Sequence, residues 1–76
     1  MASYAATMSA ERFPVGTRVV VMANSNPNVK ATPGQWGQVL RIDPDTGELQ
    51  ILWEQRPPEG TILEMVNITT THLDTE

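Results

Sequence analysis

The chain has no cysteine, which excludes a disulfide framework and a thiolate metal site. It has one histidine, so any metal would depend on His72 and the nine carboxylates. Only five Lys and Arg stand against nine Asp and Glu, for a formal net charge of −4. So few cations displace few counterions, which argues against broad phosphate-driven binding to nucleic acid. Long hydrophobic runs are also missing. VVVMA and TILEMV are far too short to cross a bilayer. The opening MASYAATMSAERF has neither a basic start nor a continuous apolar core, so it does not read as a secretory signal. These absences lead to the expectation of a soluble, cytoplasmic protein without membrane association. A domain of 76 residues buries only about 60% of the surface that its unfolded chain exposes. Support from oligomerisation, or from docking on something larger, is expected.

What is present is strand-like. Residues 17–23, TRVVVMA, contain three consecutive valines, strong strand formers. Alternation sends Val19 and Val21 to one face and Arg18, Val20 and Met22 to the other. The polar stretch NSNPNVKATPGQ follows, long enough for a functional or mobile loop. Residues 36–42, WGQVLRI, form the second strand, with Gly37 marking a bulge or a close backbone approach. In GELQILWE, Leu49, Ile51 and Trp53 alternate with Gln50, Leu52 and Glu54, the period of a half-buried strand. QRPPEG interrupts the sheet. Residues 61–68, TILEMVNI, make a fourth strand, and THLDTE holds a short turn and a fifth. The expected core is Val19, Val21, Val39, Ile42, Leu49, Ile51, Trp53 and Leu73.

Short strands joined by Gly/Pro loops predict an all-β fold, a small five-stranded antiparallel barrel over residues 14–76. Residues 1–13 read as an N-terminal arm with no useful helix, Ser9 capping at most one turn. Tyr4, Met8 and Phe13 are spaced to enter shallow pockets on another chain, so the arm is expected to order on a partner. Its deletion is expected to leave the melting temperature of the barrel nearly unchanged.

The acidic segment DPDTG separates the second and third strands. Pro44 suits the second position of a type I turn, Asp43 accepts local backbone bonds, and Gly47 supplies the left-handed residue of a bulge. A calcium loop needs oxygen ligands at alternating positions over about a dozen residues, so the hairpin reading is preferred. His72, Asp74 and Glu76 fall short of the four-ligand set of a structural zinc site. Asn67-Ile68-Thr69 fits a glycosylation sequon, which coincidence explains in a chain without a secretion signal. No serine or threonine stands in a nucleophile motif. The expectation is therefore no enzyme, no catalytic residue, no metal and no cofactor.

Gly16, Arg18 and Val19, then Pro33, Gly34, Gly37 and Val39, then Gly47, Leu49, Ile51 and Trp53 follow a G-x-R-V, P-G-x-x-G-x-V, G-x-L-x-I-x-W order. Over residues 13–55 this resembles an SH3-like barrel, and within that class a small domain family of unknown function found in bacteriophages and mobile elements. After Trp53 the chain departs from the family pattern. The resemblance implies scaffold positions and no catalytic residue. It also implies a phage or mobile-element accessory protein, in the cytoplasm of a bacterial host or in a virion, where a capsid decoration role would suit an arm held by neighbours.

Candidate protein-binding residues are Tyr4, Met8 and Phe13 of the arm, Trp36 at a loop–strand junction, and Arg56, Pro57 and Pro58 in a stiff loop that loses little entropy on binding. Trp36 fits an interface and a core equally well. A protein partner or larger assembly is the first expectation, with a homo-oligomer compatible with it. An SH3-like barrel binding nucleic acid or ribonucleoprotein is the alternative, requiring Arg12, Arg18, Lys30, Arg41 and Arg56 to converge. A small regulator of a host enzyme is the third.

Overall fold

A computed structural model describes residues 2–76. Among the described residues one helix, α1 (Tyr4–Arg12), precedes five strands: β1 (Arg18–Asn24), β2 (Trp36–Ile42), β3 (Leu49–Trp53), β4 (Leu63–Val66) and β5 (Thr71–Thr75). The strands make a single antiparallel sheet in the order β4-β3-β2-β1-β5. The first four form a meander, and the fifth returns beside the first. The expected closure into a barrel does not occur. β4 and β5 lie at opposite ends of the hydrogen-bonded order and leave two edges.

Alternation places the core as the sequence predicts. Val19, Val21, Val39, Leu49, Ile51, Trp53 and Leu73 are all buried, and Ile42 packs half-buried against them. Phe13, Val29, Ala31 and Val66 complete the cluster. Gly37 makes the expected close approach, because a Cβ there would lie 2.6 Å from Ile51 Cγ2 and 2.7 Å from the Trp53 ring. The bulges lie elsewhere. Pairing shifts between Val21 and Ala23 in β1 and between Val39 and Arg41 in β2. Each bulge leaves one apolar residue out of register, Met22 and Leu40, and both are exposed.

The DPDTG hairpin forms as predicted. The Asp43 carboxylate accepts bonds from the Asp45 and Thr46 N–H groups at 2.8 and 3.1 Å. The Gly47 N–H donates to the Asp43 carbonyl at 2.9 Å, and Gly47 has φ +77. Asp43 thus binds the turn backbone itself.

The N-terminal reading needs correction. Residues 4–12 form a nine-residue helix. Its cap is Ser3, whose hydroxyl accepts from the Ala6 N–H at 3.1 Å, in the usual manner of an N-cap. Ser9 is not a cap but a buried contact, donating its hydroxyl to the Gly47 carbonyl at 2.5 Å. The Ser3 N–H also reaches the Pro44 carbonyl at 2.9 Å. The helix is therefore docked on the β2–β3 turn of its own chain. The signal was weak because only one flank of so short a helix is buried, at Ala6 and Ser9, and no apolar period announces it.

The long polar loop between β1 and β2 is folded inward. Asn24 and Asn26 side chains organise its start, accepting from the Asn26 and Asn28 N–H groups. Val29 and Ala31 drop into the core. Glu64 of β4 holds the loop in place by accepting from the Lys30 N–H at 2.8 Å and the Ala31 N–H at 3.1 Å. The same carboxylate accepts from the Trp53 indole N–H at 2.9 Å. One half-buried side chain thus joins the loop, β3 and β4.

Candidate functional site

The outer face of the sheet is where polar and aromatic groups gather. Alternation puts Arg18 and Val20 of β1 there, together with Trp36 and Gln38 of β2 and Leu52 of β3. Arg18 pairs with Gln38 and Val20 with Trp36. The Arg18 guanidinium stacks over the Trp36 ring, 4.0 Å from its centroid. It is held there by Glu54, with Nε–Oε2 and Nη2–Oε1 contacts of 2.5 and 3.0 Å, and by Glu76 at 3.1 Å. Both carboxylates are substantially exposed, so the clamp orders side chains more than it stabilises the fold.

Electrostatics at the clamp follow from this geometry. The hydrogen bond from Arg18 holds the Glu54 carboxyl below its ordinary range, and Glu54 in turn raises the Arg18 pKa. The Trp36 carbonyl accepts from the Glu54 N–H at 2.9 Å. Beside the stacked pair, residues 32–36 and Glu54–Gln55 line a groove of about 370 Å³. The Gln35 side-chain amide crosses it to the Gln55 carbonyl. This site therefore presents one half-buried indole with one face already covered by a cation.

Other residues singled out from the sequence are distributed differently. Tyr4 is 82% exposed and Met8 is half-buried. They line a groove of about 380 Å³ between α1, the β2–β3 turn and Asn67–Thr69. Phe13 is not a surface anchor, because it is buried in the chain's own core. Pro57 is likewise buried. Arg56 and Pro58 remain exposed, and Arg56 Nε donates to the Gly60 carbonyl at 2.8 Å. The seven candidates thus divide among two surface grooves, an exposed loop and the interior.

Most of the cations have partners within the chain. Arg12 lies 5.2 Å from the Phe13 ring centroid, Arg18 is clamped by acids, Lys30 Nζ donates to the Pro27 carbonyl, and Arg56 binds Gly60. Four of the five are committed to groups of their own chain. At the C-terminal end, His72 and Asp74 share the outer face of β5 by alternation, while Glu76 is drawn to Arg18. Sequence reasoning missed Arg18, Glu54 and Glu76 as one unit. The period of two put Arg18 and Glu54 outward, but only the pairing register brings them together.

Comparison with known proteins found no matching family model, no similar curated protein and no similar solved structure.

Proposed function

We propose that this chain is a non-enzymatic protein-binding module whose contact surface centres on Trp36 and Arg18. The observation that carries this reading is the clamped stack: a half-buried indole and a guanidinium fixed at 4.0 Å by two carboxylates. Trp and Arg supply much of the binding energy at protein interfaces. A pre-ordered pair loses less side-chain entropy on docking. Leu52 and Val20 beside the stack add apolar surface, and the exposed Pro58 loop is a second element of the same module. The buried hydroxyls do not argue for nucleophilic chemistry, because Ser9 and Thr71 are bonded to Gly47 and Asn24.

The SH3-like reading belongs with this proposal. A four-strand meander followed by a fifth strand that returns beside the first supports it, although the sheet stays open. The partner proposed from the family resemblance is a component of a larger phage or mobile-element assembly, a virion surface included. The test is affinity capture from the native lysate with wild-type and Trp36→Ala baits of equal melting temperature. An assembly protein retained by the first and lost by the second supports the reading. Equal retention, or retention of no assembly protein, refutes it.

A further inference from the structure

Tyr4 and Met8 take no part in the groove beside Trp36. With Ala5 and Ile68 they give a second groove, between α1, the β2–β3 turn and Asn67–Thr69, its apolar lining. Its volume of about 380 Å³ falls within the range of small-molecule sites, about 300–1,000 Å³. The two grooves share no lining residue. The walls of the second are fixed by bonds and packing within the chain. Ser9 joins α1 to Gly47, the Ser3 N–H joins its cap to Pro44, and Ile68 packs against the core.

Some polar groups of the lining are already engaged and others are spare. The Ser9 hydroxyl donates to the Gly47 carbonyl, the Thr46 hydroxyl to the Glu48 carboxylate at 3.3 Å, and the Thr69 hydroxyl to Asn67 Oδ1 at 2.6 Å. The Thr69 N–H reaches that same oxygen at 2.9 Å. Two donors on Oδ1 fix the orientation of the carboxamide, and its Nδ2 donates to no group among the described residues. Arg12 pairs with no carboxylate among the described residues. Its guanidinium lies over the Phe13 ring at 5.2 Å from the centroid, a contact that leaves its five N–H donors unspent. The spare polar capacity of the groove is therefore donating, and its one formal charge, at Arg12, is positive.

We propose that this groove binds a small amphiphilic carboxylate, its apolar tail along Tyr4, Met8 and Ile68 and its head on Arg12 and Asn67. A planar carboxylate suits the paired N–H donors of a guanidinium. A phosphate dianion suits one cation less well, because its second charge stays uncompensated on a chain of net charge −4. One cation is also too few to hold an anionic lipid surface, where clusters of about four to eight do so. The net charge opposes any anion at a distance. Salt at ~0.1 M screens exposed charges beyond about 10 Å, so the donors that touch the head decide. Burial of the tail supplies the remainder of the affinity. The site is independent of the Trp36 reading, and failure of either leaves the other standing.

Titration of the full chain with sodium octanoate, followed by two-dimensional NMR, tests the site. Saturable shifts should centre on the amides of Gly47 and residues 67–69, with a dissociation constant below ~5 mM. Acetate lacks the tail and octylammonium reverses the charge, so each should bind at least about tenfold more weakly. Arg12→Gln keeps a long polar side chain without the charge and should weaken octanoate about tenfold. Asn67→Asp keeps the oxygen that Thr69 needs but exchanges the spare donor for a negative charge, and should act in the same direction. Absence of saturable shifts up to ~5 mM octanoate overturns the proposal, as does equal binding of acetate or octylammonium, or an affinity indifferent to both substitutions. Should both variants fail to fold, the three ligands on the wild type decide alone. Shifts centred on residues 32–36 place the ligand in the other groove and refute this site.

Discussion

Ser9 donates its hydroxyl to the carbonyl of Gly47, 38 residues further along the chain, at 2.5 Å. Both residues are buried, so the bond makes α1 a part of the fold. Ser9→Ala leaves a buried carbonyl without its partner and should cost about 1–3 kcal/mol. Chemical denaturation measures it. Deleting residues 1–11 should lower the melting temperature clearly, contrary to what the sequence suggests for a free arm. An unchanged melting temperature would mean that the helix contributes nothing to the isolated domain.

Gly47→Ala should be worse than Ser9→Ala. Its φ of +77 disfavours a side chain, and a Cβ would meet the Ala5 backbone at 2.6–2.7 Å. The two penalties are separable. Backbone strain of about 1–3 kcal/mol persists without the helix, but the collision does not. In the chain lacking residues 1–11, Gly47→Ala should therefore cost less than in the full chain. A double-mutant cycle with no coupling would show that the helix and turn do not touch in solution.

Ile51→Ala should cost about 2–5 kcal/mol, enough to threaten so small a domain. Ile51 is fully buried and lies between Val39 and Glu64 in the pairing register. A loss below ~0.5 kcal/mol would place that face in solvent.

Acid should weaken the β2–β3 turn through Asp43. Backbone bonds from Asp45 and then Thr46 hold its carboxyl below the ordinary value. A folded pKa lower than the unfolded one contributes stability above the unfolded pKa, near 3.9. That stability is lost as pH falls through the folded value. Asp43→Asn keeps a side-chain oxygen for the turn but removes the titration. The stability difference between wild type and variant should hence be constant at neutral pH and change against the wild type below about pH 4. A difference independent of pH down to 2 would exclude Asp43 as the group responsible.

Much of the sheet was legible because alternation is a local signal. Leu49, Ile51 and Trp53 read as inward from their spacing alone, and Asp43, Pro44 and Gly47 named their turn. Closure was not legible, because it depends on how far β4 and β5 approach, and no residue pattern states that. The helix escaped notice since its cap, Ser3, precedes a segment with only two buried residues. Phe13 and Pro57 looked like surface anchors, but bulky apolar groups beside a short sheet are also what is needed to cover its ends. The Arg18–Trp36–Glu54–Glu76 cluster unites four parts of the chain and depends on register, which fixes neighbours that sequence separation conceals.

Glu64 has one further consequence, for the order in which the molecule opens. Amides in a surface loop ordinarily exchange with solvent through small local fluctuations. Those of Lys30 and Ala31 bond instead to a side chain rooted in β4. They become accessible only when the carboxylate lets go or β4 leaves β3. Their protection should therefore match that of the β3–β4 ladder rather than that of their neighbours Asn28 and Thr32. In Glu64→Ala, which removes both acceptor oxygens, the match should fail, leaving two fast amides inside an otherwise slow unit. Lys30 and Ala31 thus belong, in their kinetics, to a strand more than thirty residues away in sequence.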